Sequence, residues 1–201
     1  MARTDATLSK HRGISFFLVD MQSDGIETRP LRQMTGDAEF DEVFFTNVLL
    51  PRSALLGPVN GGWHVGMDIL TKERGSIGAG AITMQRRLDS LISLAESELD
   101  SRTRQELVIL LTQGKSYDFL GQRQGPDSSV ASSLNKLGIT ELMFDIANLR
   151  ANISGLEALL EGPSSNSLLS APGARIAGGT SQIQRNIIGE RILGLPKEPR
   201  P

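Results

Sequence analysis

The sequence has no cysteine, which excludes disulfides, thiolate zinc sites, iron–sulfur clusters and a cysteine nucleophile. Histidine is almost as scarce. His11 and His64 are the only two, too few for a histidine-rich metal centre, so no metal site is expected. Aromatic residues are 4% of the chain, with one Trp and one Tyr. No run approaches the roughly 20 apolar residues that a membrane span needs, and the opening MARTDATLSKHRG has no apolar segment of the secretory type. Excess positive charge is lacking as well. Lys and Arg total 21 against 23 Asp and Glu, a net charge of −2, without the clustered basic surface of a nucleic-acid groove. These absences describe a soluble, cytoplasmic protein.

What is present fits a globular fold: 201 residues, 39% hydrophobic and 22% charged. The pattern changes near residue 60. Before it, GISFFLVDM (13–21), IETRPLRQM (26–34) and FDEVFFTNVLLP (40–51) read as strands separated by Ser23-Asp24-Gly25 and Gly36-Asp37 turns. Pro30 makes the second strand an edge or bent strand. The three together read as an antiparallel meander. After Gly61, Trp63, Met67, Leu70, Ile77, Ala81, Met84, Leu88 and Leu91 recur at helical spacing. Further helices are expected over about 101–121, with Leu107, Leu110, Leu111 and Phe119 on the apolar side, and over about 128–160. The segment GPSSNSLLSAPG (162–173) reads as a loop. A last helix opens at Ser181, which with Gln184 fits a capping box, carries the stripe Ile183, Ile187, Ile188 and Ile192, and closes at Gly194 and Pro196. The expected fold is mainly α: a helical bundle over 59–201 preceded by a short antiparallel β-fragment over 1–58.

The turn Gly178-Gly179-Thr180-Ser181-Gln182 is the strongest local candidate for a site. Two glycines permit close backbone approach, and a helix N-terminus offers free N–H groups to an anion. On local evidence alone a plain helix cap is the stronger reading. GSIGAG (75–80) is not a dinucleotide fingerprint, since its spacing is wrong. Trp63 reads as a packing residue and His64 as an exposed one.

The string GGTSQIQRNIIGERILGL (178–195) resembles the C-terminal signature of acyl-CoA dehydrogenases. GISFFLVD (13–20) with IETRPLRQMTG, VFFTNVLLPRSALLG (43–57) and NGGWHVGMDILTKERGSIGAG (60–80) resemble further family segments in the same order. These cover the closing strands of the middle β-domain, the turn leaving it and the first long helix of the C-terminal bundle. The resemblance implies FAD as cofactor, an acyl-CoA thioester as substrate and electron-transfer flavoprotein as electron acceptor. It also implies a homo- or hetero-oligomer. The implied reaction is α,β-dehydrogenation, in which a glutamate takes the α-proton. Many members carry that glutamate two residues before the Thr-Ser of the signature. Here the position is Gly178, which has no side chain. A second class carries it on the first bundle helix directly before an arginine, which matches Glu73 in Lys72-Glu73-Arg74. The other reading of Glu73 is a solvated helix residue.

By the same resemblance Thr180, Ser181 and Gln182 match cofactor-binding positions. Lys72, Arg74 and Gly179 match substrate-binding ones. Arg102 or Arg104 matches an arginine that reaches the flavin pyrophosphate of a neighbouring subunit, and LEGPSSN around Gly162 departs from a flavin-contacting Gly-Gly turn. The N-terminal helical domain and the first part of the β-domain have no counterpart here, so the chain reads as a truncated form or partial subunit of such an enzyme. The alternative is a non-catalytic fragment or an oligomerising helical module.

Overall fold

The structure, a computed structural model, describes residues 1–75, 78–95, 99–122 and 128–197, with side chains except at 71–75, 78, 79 and 128–131. It divides into two compact units, Met1–Lys72 and Glu73–Pro201. The fold is mainly helical with a small set of antiparallel strands.

In the first unit, β2 (Ile14–Phe17) pairs with β1 (Ala2–Arg3) on one side and β5 (Leu55–Leu56) on the other, both antiparallel. β3 (Ile26–Leu31) pairs only with β4 (Phe40–Phe45). The expected single meander is therefore two separate sheets, because β2 bonds to segments distant in sequence instead of to its successor. Pro30 does lie on an edge strand, opposite Asp41. β4 is exposed along its whole length, and Phe40 and Phe45 remain 61% and 59% exposed. A two-stranded ribbon with both sides uncovered buries too little to be stable alone.

The start of α1 (Gly62–Gly75) is fixed by a buried polar knot. Ser15 Oγ accepts from the Asn60 N–H at 2.8 Å and shares a 2.7 Å hydrogen bond with the Thr4 hydroxyl. Gly62 has to be glycine here, since a Cβ would overlap the backbone of Ser15. Trp63 packs as expected, stacked on His11 with ring centroids 3.8 Å apart. His64 is exposed.

The second unit is a bundle of α2 (Gly78–Leu94), α3 (Ser101–Gln122), α4 (Ser128–Ser154), α5 (Pro163–Ile176) and α6 (Ser181–Ile187). Its core is Met84, Leu88 and Leu91 of α2, Leu107 and Leu110 of α3, and Ile139, Leu142, Ile146 and Leu149 of α4. Each such side chain contributes roughly 1.5–3 kcal/mol of burial free energy. Phe119 departs from its expected place and is 66% exposed. Tyr117 packs against the core instead, its ring lying on Gly138, where a Cβ would overlap it.

The segment expected as a loop is helical. Pro163 occupies the first helical turn, where its missing N–H costs nothing, and the Ser165 hydroxyl bonds back to Gly162. Packing supplies the rest. Ala171 is buried, and buried Ser164 bonds to Ser154 and Arg150 of α4. Tertiary contact overrides a composition that by itself favours a turn.

Candidate functional site

The glycine turn before α6 is built from both directions. Gly178 and Gly179 have φ of +64° and +96°, the left-handed region that costs other residues about 1–2 kcal/mol. Their two carbonyls are pinned into the protein. Gln184 Nε2 donates to the Gly178 carbonyl at 3.0 Å, and Lys136 Nζ donates to the Gly179 carbonyl at 2.6 Å. Lys136 also reaches the Arg175 carbonyl at 3.3 Å. It is only 4% exposed, and burial lowers its pKa, opposed by the attraction of Glu141.

In a trans peptide the C=O and the following N–H point in opposite directions. The N–H groups of Gly179 and Thr180 therefore point away from Gln184 and Lys136. No hydrogen bond is made by the N–H of Gly179, Thr180, Ser181 or Gln182 among the described residues. The turn thus presents four consecutive donors at the positive end of a helix, suited to an anionic or strongly polar ligand.

The cap differs from the expected one by a residue. Thr180, not Ser181, is the N-cap, its hydroxyl accepting from the Ile183 N–H at 3.2 Å. Gln184 reaches the Gly178 carbonyl instead of closing a capping box. The expected isoleucine stripe is also displaced. Ile183 is 49% exposed, and the buried side of α6 is polar, formed by Ser181 and Gln184. Ile188–Ile192 continues as a π-helical turn. The π-turn is closed by the Leu193 N–H bonding to the Ile188 carbonyl.

Behind the turn sits a charged cluster that the sequence did not reveal. The Arg175 guanidinium contacts both carboxylate oxygens of Glu141, at 3.0 and 3.2 Å, and Arg185 contacts one at 3.4 Å. Arg175 also lies over the Phe144 ring, 4.8 Å from its centroid. Burial pushes the Glu141 carboxyl up, but the Ser181 hydroxyl and the two arginines outweigh it, and the net is below the ordinary value. Ser181 Oγ acts on Glu141 electrostatically while its geometry falls short of a full hydrogen bond. Asp145 moves the other way, raised by burial and by repulsion from Glu141. The i, i+5 spacing of Lys136 and Glu141 and the i, i+4 spacing of Glu141 and Asp145 were visible. Their convergence on a turn some 40 residues later was not.

The remaining expected site residues divide as follows. Thr180 is half-buried and Gln182 exposed, while Ser181 is buried, so the turn offers its N–H rather than its hydroxyl. Lys72, Glu73 and Arg74 lie on the backbone of α1, and their side chains lie outside the described residues. Arg102 is on the surface, paired with Glu106 at 3.0 Å, and Arg104 bonds the Leu99 carbonyl. No helix among the described residues is long and apolar enough to cross a membrane.

Residues 119–193 match the family model described as "Acyl-CoA dehydrogenase, C-terminal domain". The chain is 36% identical to acyl-CoA dehydrogenase FadE34 of Mycobacterium tuberculosis, over 98% of its own length and 29% of that protein. It is 33% identical to acyl-CoA dehydrogenase IpdE1 of Mycolicibacterium smegmatis, over 98% of its own length and 53% of that protein. It therefore spans between about a third and a half of these relatives. Among solved structures it superimposes on the glutaryl-coenzyme A dehydrogenase–glutaryl-CoA complex with a TM-score of 0.83 at 22% identity, covering 99% of this chain and 55% of that one. The Tcur3481-Tcur3483 steroid ACAD gives 0.85 at 20% identity, covering 98% and 56%.

Proposed function

The chain belongs to the acyl-CoA dehydrogenase family through its C-terminal part, and from that premise we propose that it contributes to flavin-dependent α,β-dehydrogenation of an acyl-CoA thioester. The observation that carries the reading is the row of free N–H donors from Gly179 to Gln182 on a turn whose carbonyls are all tied inward. Such a row fits the polar and phosphate groups of FAD. The glycines leave room for its approach, and Lys136 and Gln184 keep the donors oriented without using them.

When bound, FAD would supply the hydride acceptor. The chain's own part is binding, orientation and proton removal. Thr180, Ser181 and Gln182 hold the cofactor through the turn, and Gly179 takes the substrate side. Glu73 takes the α-proton onto its carboxylate, since Gly178 offers no side chain at the other position that family members use. Lys72 and Arg74 flank it with positive charge suited to the CoA ester's phosphates. Water excluded around a carboxylate raises its pKa towards the range useful for proton abstraction. Electron-transfer flavoprotein is the proposed oxidant of the reduced cofactor, and a homo- or hetero-oligomer the proposed working form.

The test is flavin uptake. The full chain, purified alone, is titrated with FAD and followed by quenching of flavin fluorescence. Saturable binding that is weakened about tenfold or more by Gly179→Val supports the site. Binding that Gly179→Val leaves unchanged, or no binding at all, removes the turn as a cofactor site of this chain and leaves a non-catalytic helical module. Where flavin binds, Glu73→Gln should abolish turnover across an acyl-CoA panel while sparing flavin affinity.

A further inference from the structure

The chain enters the glycine turn from α5, which carries Arg175 near its end, and leaves it along α6, which carries Arg185. These two arginines reach one acceptor on a third helix. Arg175 Nη2 lies 3.0 and 3.2 Å from the two carboxylate oxygens of Glu141, and Arg185 Nη2 lies 3.4 Å from one of them. A single carboxylate of α4 therefore closes the base of a loop whose crown is the row of N–H donors from Gly179 to Gln182.

Stability alone is a weak reason for that arrangement. The side chains of Glu141, Arg175 and Arg185 are 29%, 35% and 56% exposed, and ion pairs so open to water contribute little to folding. Direction is a stronger one. Gly178 and Gly179 hold φ of +64° and +96°, and glycine exchanges such conformations readily for others, so the glycines by themselves do not fix where the donors point. Tethers do. Lys136 holds the crown through the Gly179 carbonyl, and Glu141 holds both legs, so α4 ties the turn down at three points. Asp145, one helical turn further on, repels Glu141, while Lys136 and the two arginines attract it, and the net keeps the carboxylate charged at neutral pH.

We propose that Glu141 is the positioning residue of the cofactor turn: its carboxylate, shared between Arg175 and Arg185, sets the spacing between the end of α5 and the start of α6 and so aims the donor row. The identity of the ligand rests on the flavin reading above. The clamp goes beyond it, because Glu141 acts through two arginines and touches no ligand itself. Hydrogen bonds between guanidinium and carboxylate are strong enough to hold such a spacing, and a neutral amide in place of the carboxylate is not an equivalent partner.

Two readouts on the full chain separate the clamp from its ligand. With isotope-labelled glycine, the amide resonances of Gly178 and Gly179 report the turn with nothing bound. Quenching of flavin fluorescence reports FAD affinity. Glu141→Gln, which keeps the shape and loses the charge, should move both resonances and weaken FAD binding by about tenfold or more. Glu141→Asp keeps the charge and should return the affinity to within about threefold of wild type. Arg185→Gln removes a partner at an exposed position and should move the same resonances by less, since Arg175 remains. Glu106→Gln, which breaks the surface pair with Arg102, should change neither readout. Unmoved glycine resonances in Glu141→Gln overturn the proposal whatever the affinity. So do resonances that move while FAD affinity stays at the wild-type value, and so does a loss that Glu141→Asp fails to restore. Where the wild type binds no FAD, the flavin reading falls, and the glycine resonances alone decide the clamp: moved, it holds the turn; unmoved, it does not.

Discussion

Replacing Lys136 by Met tests whether the glycine turn is held from behind. Met keeps the apolar stem, one atom shorter, but loses the ammonium that bonds the Gly179 carbonyl at 2.6 Å and the Arg175 carbonyl at 3.3 Å. A hydrogen bond from a charged donor contributes about 1.5–3 kcal/mol, and an acceptor left buried without one costs about 1–3 kcal/mol. The longer bond counts for less. Set against these is the desolvation of a buried ammonium, several kcal/mol before compensation, which Met relieves. The balance is a loss of about 2 kcal/mol, read as a lower urea midpoint at unchanged slope. The pH dependence gives a second readout. The Lys136 pKa is lowered in the folded state from 10.5, so the unfolded chain binds more protons just below that pH. Stability should therefore rise with pH through that alkaline window in the wild type, and Lys136→Met should lose this rise. If Lys136→Met costs less than about 0.5 kcal/mol and leaves the alkaline slope intact, the lysine is not a strut and the turn is held otherwise.

Four further outcomes follow from the same geometry. Gly179→Ala, at φ +96° with the new Cβ 2.9 Å from Gln184 Nε2, should destabilise the bundle by about 1–2 kcal/mol in urea unfolding. Gly138→Ala pushes a methyl into the Tyr117 ring and should cost about 1–3 kcal/mol, with a change in tyrosine fluorescence that reports the displaced α3–α4 contact. Glu141 has a folded pKa below the ordinary 4.5, so its contribution is present above that pH and lost as pH falls through the folded value. Glu141→Gln should therefore be less stable than wild type at neutral pH and converge with it in acid. Asp145 is raised by burial and by Glu141, so Asp145→Asn should raise the neutral-pH unfolding temperature slightly.

Local rules were enough for elements whose burial follows their own periodicity. The stripe Met84, Leu88 and Leu91 is fully buried, and α3 begins where a 3.6-residue pattern predicts. Local rules failed where a distant segment supplies the partner. α5 looked like a loop because Gly, Pro and Ser dominate it. It is a helix because Ser164 and Ala171 find places against α4. The strands were recognised as strands but paired differently, because β2 takes its neighbours from residues 2–3 and 55–56.

The candidate site divides in the same way. The sequence by itself pointed to the turn, since two consecutive glycines open the left-handed conformations that a turn needs and Thr-Ser offers a helix cap, and it pointed to the family, since four ordered segments share one pattern. Only the tertiary structure decided how that turn is used. It set the cap at Thr180, turned Ser181 and Gln184 inward, and brought Lys136 and Glu141 beneath the loop from a helix some 40 residues earlier. The physical reason is range: local conformational preference is set by neighbours in the chain, whereas the satisfaction of buried charges and carbonyls, and the packing that can override such a preference, is set by whatever folding places next to them.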